Sequence, residues 1–462
     1  MIQQPVPASI FRAYDIRGIV PTTLNESIVY QIAQAYGTQA KSQGYHQVVI
    51  GRDGRISGPA LLKALSEGLM SVGCHVINIG AVPTPVLYHT AIEQAQATGV
   101  MLTGSHNPKD YNGLKMTIGG QTLANETIQA LYQRIVDQAI DSPSQTGEQQ
   151  INSQAIDAYI DAVKRSIHLK KSLKVVIDAG NGIAGSVAPK LFQALGCDVV
   201  EQFCHVDGTF PNHHPDPSKP ENLESLKQAV AQHHADIGLA FDGDADRLGV
   251  VTPQGEIIYP DRQLMLFAQQ VLRHQPGSTI LYDVKCSKAV ADFVKAHGGV
   301  PLMYQTGHAL IKQKMKTTPI ALAGEMSGHI FFNDRWPGFD DGMYVGARLV
   351  EILSEQANDA DAVFAKIPNL LSTPELSIEV ADEVKFDVMD ALGQQAPDKY
   401  PEADIITIDG LRVEFSEGWA LVRASNTTPK LVFRFEADSA DKLHSIQSDF
   451  MEWVQAMADQ YQ

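Results

Sequence analysis

The chain has 462 residues, 44% hydrophobic and 19% charged, with 36 Gly and 24 Pro. That apolar content excludes a disordered chain, the lack of any long apolar run excludes a membrane-spanning helix, and at about 150 residues per domain the length allows two to four domains. Asp plus Glu is 53 against 36 for Lys plus Arg, a formal charge of −17 that repels polyphosphate and argues against nucleic acid as a partner. Four scattered cysteines, Cys74, Cys197, Cys204 and Cys286, make neither a disulfide framework nor a CxxC zinc site; they fit reduced thiols in the cytoplasm. The opening MIQQPVPASIFRAYD has no signal-peptide pattern.

In chain order, strand–loop–helix units recur. An apolar run at 48–50 leads through a Gly/Asp/Arg loop to a helix opened by Pro59. A second strand at 175–177 precedes the glycine-rich AGNGIAG, and a third at 280–282 precedes DVKCSK and another amphipathic helix. Strands alternating with helices in this way predict parallel pairing in three similar α/β domains. From 369 onward LSIEV, LRVEF, WALVRA and LVFRFEA read as short alternating strands with hairpin-length gaps. A last helix carries Ile446, Phe450, Trp453, Val454 and Met457 at helical spacing, which completes a smaller α+β domain. The expected boundaries are 1–150, 151–254, 255–368 and 369–462.

Five segments carry chemistry. In GLAFDGDADRLGVV an apolar strand ends in Asp242, Asp244 and Asp246, whose oxygens can converge on one hard cation; a solvated acidic turn is the bland alternative. An EF-hand is excluded, because its sixth and twelfth positions would hold Arg247 and Pro253. In TGSHNP, Ser105 lies between Gly104 and His106 after a buried strand, as a nucleophile or as part of a structural turn. Gly180-Asn181-Gly182-Ile183-Ala184-Gly185 has the written form of a dinucleotide fingerprint, but Asp178 would oppose a pyrophosphate. Ser186 as cap and Pro189 in the first turn also place the helix after the glycines, so a tight turn is the better reading. GEMSGH at 324–329 suits the reading of a polyol's hydroxyls, and RASNTT at 423–428 suits a phosphate; each is also compatible with a plain turn. The pairs His213-His214 and His233-His234 read as structural or solvated rather than as ligands.

Together FRAYDIRG at 11–18, TGSHNP at 103–108, PNHHPDP at 211–217, DGDADR at 242–247, GEMSGH at 324–329 and RASNT at 423–427 resemble the α-D-phosphohexomutase superfamily. Within it they are most similar to the bacterial phosphomannomutase/phosphoglucomutase group. The resemblance spans nearly the whole chain and implies mixed sheets in the three α/β domains, with all four domains around a central cleft. It implies a cytoplasmic isomerase that interconverts mannose and glucose 1- and 6-phosphates through a bisphosphorylated intermediate, as a monomer or weak dimer. Ser105 would be the phosphoserine, and Asp242, Asp244 and Asp246 would hold Mg²⁺ with a phosphoserine oxygen. Glu325 and Ser327 would bind sugar hydroxyls, and Arg423, Ser425, Asn426 and Thr427 the phosphate that does not react. Tyr14, Arg17, His106, Lys115, Arg247, Lys285, His308 and His329 match cleft positions, with Arg17, Lys115 and His329 as the candidates for general acid or base. A phosphoglucosamine mutase and a metal-dependent serine sugar phosphatase are the alternatives.

Overall fold

The computed structural model describes residues 5–425 and 429–461, which divide into two compact units. The larger comprises Met1–Pro260, Gly307–Leu322 and Ser327–Ala365; the smaller comprises Asp261–Thr306, Ala323–Met326 and Lys366–Gln462. Among the described residues no helix is long and apolar enough to cross a membrane.

The larger unit holds two mixed sheets. In the first, Gln47–Arg52 lies parallel to both His75–Ala81 and Gly99–Leu102. Tyr111–Ile118 then runs antiparallel to Gly99–Leu102 and to Ile16–Ile19. The helices Glu26–Ser42 and Gly58–Ser71 supply Ile28, Ile32, Leu61, Leu65 and Leu69 to its core, at the four-residue spacing that puts side chains on one helix face. In the second sheet Ile237–Phe241 is parallel to Lys174–Asp178 and antiparallel to Leu248–Val251. Both chemistry-bearing loops of this unit, 103–110 and 242–247, therefore join a buried strand to an antiparallel return strand. The four glycine-rich residues after Asp178 lead into a 3-10 turn at Ile183–Ser186, and the helix Ala188–Ala194 is capped at Val187 without a side-chain bond. Ser186 is thus not the cap: its hydroxyl donates to the Ile183 carbonyl within the 3-10 turn.

In the smaller unit Thr279–Asp283 and Val300–Tyr304 pair in parallel. An antiparallel sheet follows, with Lys430–Ala437 and Gly418–Ala424 at its centre and Leu411–Phe415 beside them. One departure from the expected hairpins is the helix Lys385–Lys399, inserted between the strands Leu376–Glu379 and Asp404–Ile406. Val388, Leu392 and Ala396 recur at four-residue spacing and bury against this sheet, which outweighs Gly393 and Pro397 as helix breakers.

Strand alternation gives that sheet two buried faces. Leu411, Val413, Ala420, Val422, Leu431, Phe433 and Phe435 point into its own core. Arg412, Trp419, Leu421 and Glu436 point the other way, toward residues 284–288. There Arg412 donates to the carbonyls of Val284 (2.6 Å) and Cys286 (2.8 Å), and its guanidinium lies 3.9 Å from the Trp419 ring centroid. The Glu436 carboxylate accepts from Trp419 Nε1 (2.8 Å) and from the Ser287 hydroxyl (2.9 Å). Trp419→Ala is expected to cost about 3–5 kcal/mol through the cavity and the lost donor. A urea denaturation midpoint close to the parent's would show that this face is not the buried one.

Candidate functional site

Ser105 is 1% exposed and lies in the left-handed region with φ 46°. Its N–H donates to Thr103 Oγ1 (2.8 Å), and its hydroxyl donates to Asp242 Oδ2 (2.8 Å) with His106 Nδ1 3.2 Å away. Arg17, on the neighbouring strand, bonds the Gly104 carbonyl (3.2 Å) and the side chains of Asn107 and Asp15. Gly243 is required because a Cβ there would stand 2.2 Å from the Ser105 carbonyl oxygen. The serine and acidic loops are packed backbone to backbone.

Asp242, Asp244 and Asp246 are fully buried, with ligand oxygens within 4.8 Å of one another. Lys115 Nζ, from the strand Tyr111–Ile118, donates to Asp244 Oδ2 (2.7 Å) and to Asp246. Burial and the charges of Asp244 and Asp246 push the Asp242 carboxyl well up. Burial also pushes Asp246 up, but Lys115 and His329 outweigh it and hold that carboxyl well below its usual range. Asp244 Oδ1 is buried and accepts no hydrogen bond, while Asp246 Oδ1 faces only His329. Three crowded carboxylates, one lysine and a buried oxygen without a donor fit a hard divalent cation.

A third wall is built from histidines. Arg247 donates from Nε to His329 Nε2 (3.3 Å), and that nitrogen is 3.3 Å from Asp246 Oδ1. Ser327 Oγ meets His329 Nδ1 at 3.0 Å. The His308 ring stacks on His329 with centroids 5.2 Å apart, and Tyr14 stands edge-on to His308. Behind them Asp340, fully buried, accepts from Lys312 Nζ (2.7 Å) and lies 3.1 Å from His308 Nδ1. Burial, then the Arg247 and Arg17 charges, keep the His106 imidazole well below its ordinary range, so it is neutral near pH 7.

The larger unit thus assembles Tyr14, Arg17, Ser105, His106, Lys115, the three aspartates, Arg247, His308, Ser327 and His329. The smaller unit holds a separate polar group: Lys285, Arg423, Ser425 and Arg434 line a cavity of about 170 Å³. Arg423 is oriented by Asp409 Oδ1 (2.7 and 2.9 Å), while Lys385 Nζ donates to the Ser425 carbonyl (2.6 Å). Glu325, 2% exposed, belongs to this unit as well. Asn426 and Thr427 lie outside the described residues. Sequence reasoning missed Arg434, Lys312 and Asp340. Arg434 was legible as the outward residue between Phe433 and Phe435; the other two had no local signal. The GNGIAG turn holds no dinucleotide-type opening: Asp178, fully buried, takes His213 Nε2 at 3.0 Å and the Gly180 N–H at 2.8 Å.

Mixed α/β sheets, an antiparallel last sheet, and a serine set against three carboxylates on strand-to-strand loops of two different sheets describe an α/β enzyme built for phosphoryl transfer beside a metal. The chain matches four family descriptions in order. Phosphoglucomutase/phosphomannomutase alpha/beta/alpha domain I covers residues 8–140, domain II 157–255, domain III 259–370, and the C-terminal domain 375–452. It is 54% identical over 450 residues to a phosphomannomutase/phosphoglucomutase of Pseudomonas putida, covering 97% of this chain and 96% of that one. It is 51% identical over 450 residues to a phosphoglucomutase of Neisseria meningitidis, at 96% coverage of both. A crystal structure of a phosphoglucomutase/phosphomannomutase family protein from Burkholderia thailandensis superposes with a TM-score of 0.92, at 48% identity and 98% coverage of both chains. The chain belongs to the phosphoglucomutase/phosphomannomutase family.

Proposed function

We propose that the protein interconverts hexose 1-phosphates and hexose 6-phosphates of mannose and glucose through a phosphorylated Ser105 and a hexose 1,6-bisphosphate. The observation that carries this is the buried Ser105 hydroxyl, 2.8 Å from Asp242 in a loop clasped by Arg17. In the first half, an oxygen of the free sugar hydroxyl bonds to phosphorus and the Ser105 Oγ–P bond breaks; one proton leaves the hydroxyl and one ends on Oγ. In the second half, after the bisphosphate has reoriented, Ser105 Oγ loses its proton and bonds to the other phosphorus while that sugar O–P bond breaks, and the released sugar oxygen takes up a proton. His329 is the imidazole placed to hold these protons, with Arg17 and Lys115 as the other candidates; His106, 3.2 Å from Oγ, is held neutral by burial and by its cationic neighbours. Arg17, Arg247 and Lys115 counter the charge on the moving phosphoryl group.

Asp242, Asp244 and Asp246, with a phosphoserine oxygen, would hold Mg²⁺. When bound, the ion neutralises charge on the phosphoryl oxygens. Glu325 and Ser327 are assigned to sugar hydroxyls. Tyr14, His308, Lys285 and the segment Arg423, Ser425, Asn426 and Thr427 are assigned to substrate, the last four to the phosphate that does not react. Four domains, 1–150, 151–254, 255–368 and 369–462, are part of this reading. All four cysteines are buried free thiols, which supports a cytoplasmic setting.

The test is a side-by-side assay of mannose 1-phosphate and glucose 1-phosphate with and without Mg²⁺. Formation of both 6-phosphates, abolished by excess EDTA and restored by Mg²⁺, is the expected result. Release of inorganic phosphate in place of the 6-phosphate would assign a phosphatase, and full activity in EDTA would remove the metal assignment.

A further inference from the structure

We propose that Arg55 and Asp53, buried behind the serine loop, are the positioning residues that fix the phosphoryl-carrying serine in its reactive geometry; this rests on Ser105 being that carrier. The two residues lie just after the strand Gln47–Arg52, and their side chains are 0% and 2% exposed. The guanidinium of Arg55 spends its donors on the serine loop. Nη1 donates to the carbonyls of Pro108 (2.5 Å) and Tyr111 (2.9 Å), and Nη2 to those of Ser105 (2.8 Å) and Asn107 (2.7 Å). Nε donates to Asp53 Oδ2 (3.1 Å). That carboxylate oxygen also accepts from Thr103 Oγ1 (2.8 Å) and from the Gly104 N–H (3.2 Å), and Thr103 Oγ1 in turn accepts from the Ser105 N–H. One ion pair therefore anchors the loop by the serine's own carbonyl and three beyond it, and by the Thr103 hydroxyl and the Gly104 N–H before it.

Three further observations separate this from an ordinary buried ion pair. The carried residue has φ 46°, a conformation that a non-glycine residue keeps only where its surroundings over-determine it. Gly104 leaves no room for a side chain, since a Cβ there would stand 2.4 Å from the Arg55 guanidinium carbon. The pair is also sealed from solvent: the Phe210 ring lies 5.2 Å from the guanidinium, and a Cβ at Gly208 would stand 2.9 Å from Arg55 Cα. A buried pair is weak evidence for stability, and its better-attested use is to select one arrangement of the chain. A five-donor planar fork can hold four carbonyls at once, which the ammonium of a lysine cannot.

The experiment compares wild type with Arg55→Lys and Arg55→Ala, using steady-state kinetics and single-turnover transfer of label from Ser105 to the sugar. Misplacing the serine by about 1 Å is expected to lower kcat and the transfer rate by about 100-fold in Arg55→Lys. KM should stay within about threefold, because no substrate contact is lost. Guanidinium at millimolar concentration should restore part of the rate in Arg55→Ala, while sodium chloride of equal ionic strength should not. Should the arginine variants fail to fold, Thr103→Val breaks the second anchor without burying a charge, and its transfer rate should fall by about tenfold. Transfer at the wild-type rate in Arg55→Lys or in Thr103→Val, or a defect lying wholly in KM, overturns the positioning role. A wild-type enzyme that takes no label at Ser105 overturns the carrier reading itself, and this inference with it.

Discussion

Ser105→Ala is expected to lower kcat by about 10⁴-fold or more and to abolish the phosphorylated form of the protein. The size of the effect follows from the route. Without an oxygen at this position no covalent phosphoryl carrier exists, and what remains is the charge-neutralising frame of Arg17, Lys115 and Arg247. The fold should survive, because the Ser105 hydroxyl donates to Asp242 alone and the loop is held by its backbone. Losing that donor is worth about 1 kcal/mol, so the melting temperature should move little. Intact mass, kcat and melting curve measured together make the test. One phosphate per chain at Ser105 in the parent and none in the variant is the expected pair of masses. Turnover within tenfold of the parent, or phosphate persisting in the variant, would place the carrier elsewhere. Label should also pass from Ser105 into product within one turnover, since a single serine serving both ends of the sugar must give its phosphoryl group away before it takes the other.

Much of this site was legible because two of its loops are local. DGDADR and TGSHNP each put functional atoms within a few residues of a buried apolar strand, and such strands end at predictable points. Lys115 was found by resemblance, and nothing in its own neighbourhood marks it: with Asn112 and Thr117 it is one of several polar residues in a buried strand. Its role appears only when Tyr111–Ile118 returns antiparallel beside Gly99–Leu102 and delivers Nζ to Asp244 and Asp246, far along the chain. The same holds for Arg55, which reaches carbonyls about fifty residues away. A sequence pattern fixes periodicity and chain reversal, but long-range hydrogen bonds depend on how separate elements dock. The helix Lys385–Lys399 was missed for a different reason. Gly393 and Pro397 disfavour helix, and only packing of Val388, Leu392 and Ala396 on the last sheet decides for it. In that sheet the alternation was plain in LRVEF and LVFRFEA, yet it did not say that the polar face would be buried too. The partners of Arg412 and Glu436 come from residues 284–287, a separate segment of the chain.

Asp244→Asn is expected to lower Mg²⁺ affinity by at least about 100-fold, and with it the activity at physiological Mg²⁺. Asp244 stands at the centre of the charge balance. It shares Lys115 with Asp246, accepts from Thr84 Oγ1 at 2.6 Å, and keeps Oδ1 buried without a hydrogen bond. One lysine meets the charge of two of the three carboxylates, while burial and its two neighbours push Asp242 well up, so the cluster is held together against repulsion. An asparagine keeps the size and the Thr84 contact but removes one unit of that charge. Two effects should therefore part company. The metal-free variant should melt near the parent's temperature, since the lost attraction to Lys115 is offset by the relieved repulsion. Added Mg²⁺ should stabilise the parent by about 2.7 kcal/mol at one hundred times its dissociation constant, and should leave the variant nearly unchanged. Melting curves across a Mg²⁺ series, with no substrate present, separate binding from catalysis. A variant that gains as much stability from Mg²⁺ as the parent does would show that the ion is held by other groups. A metal-free variant that has already unfolded would show that Asp244 serves the fold before it serves the ion.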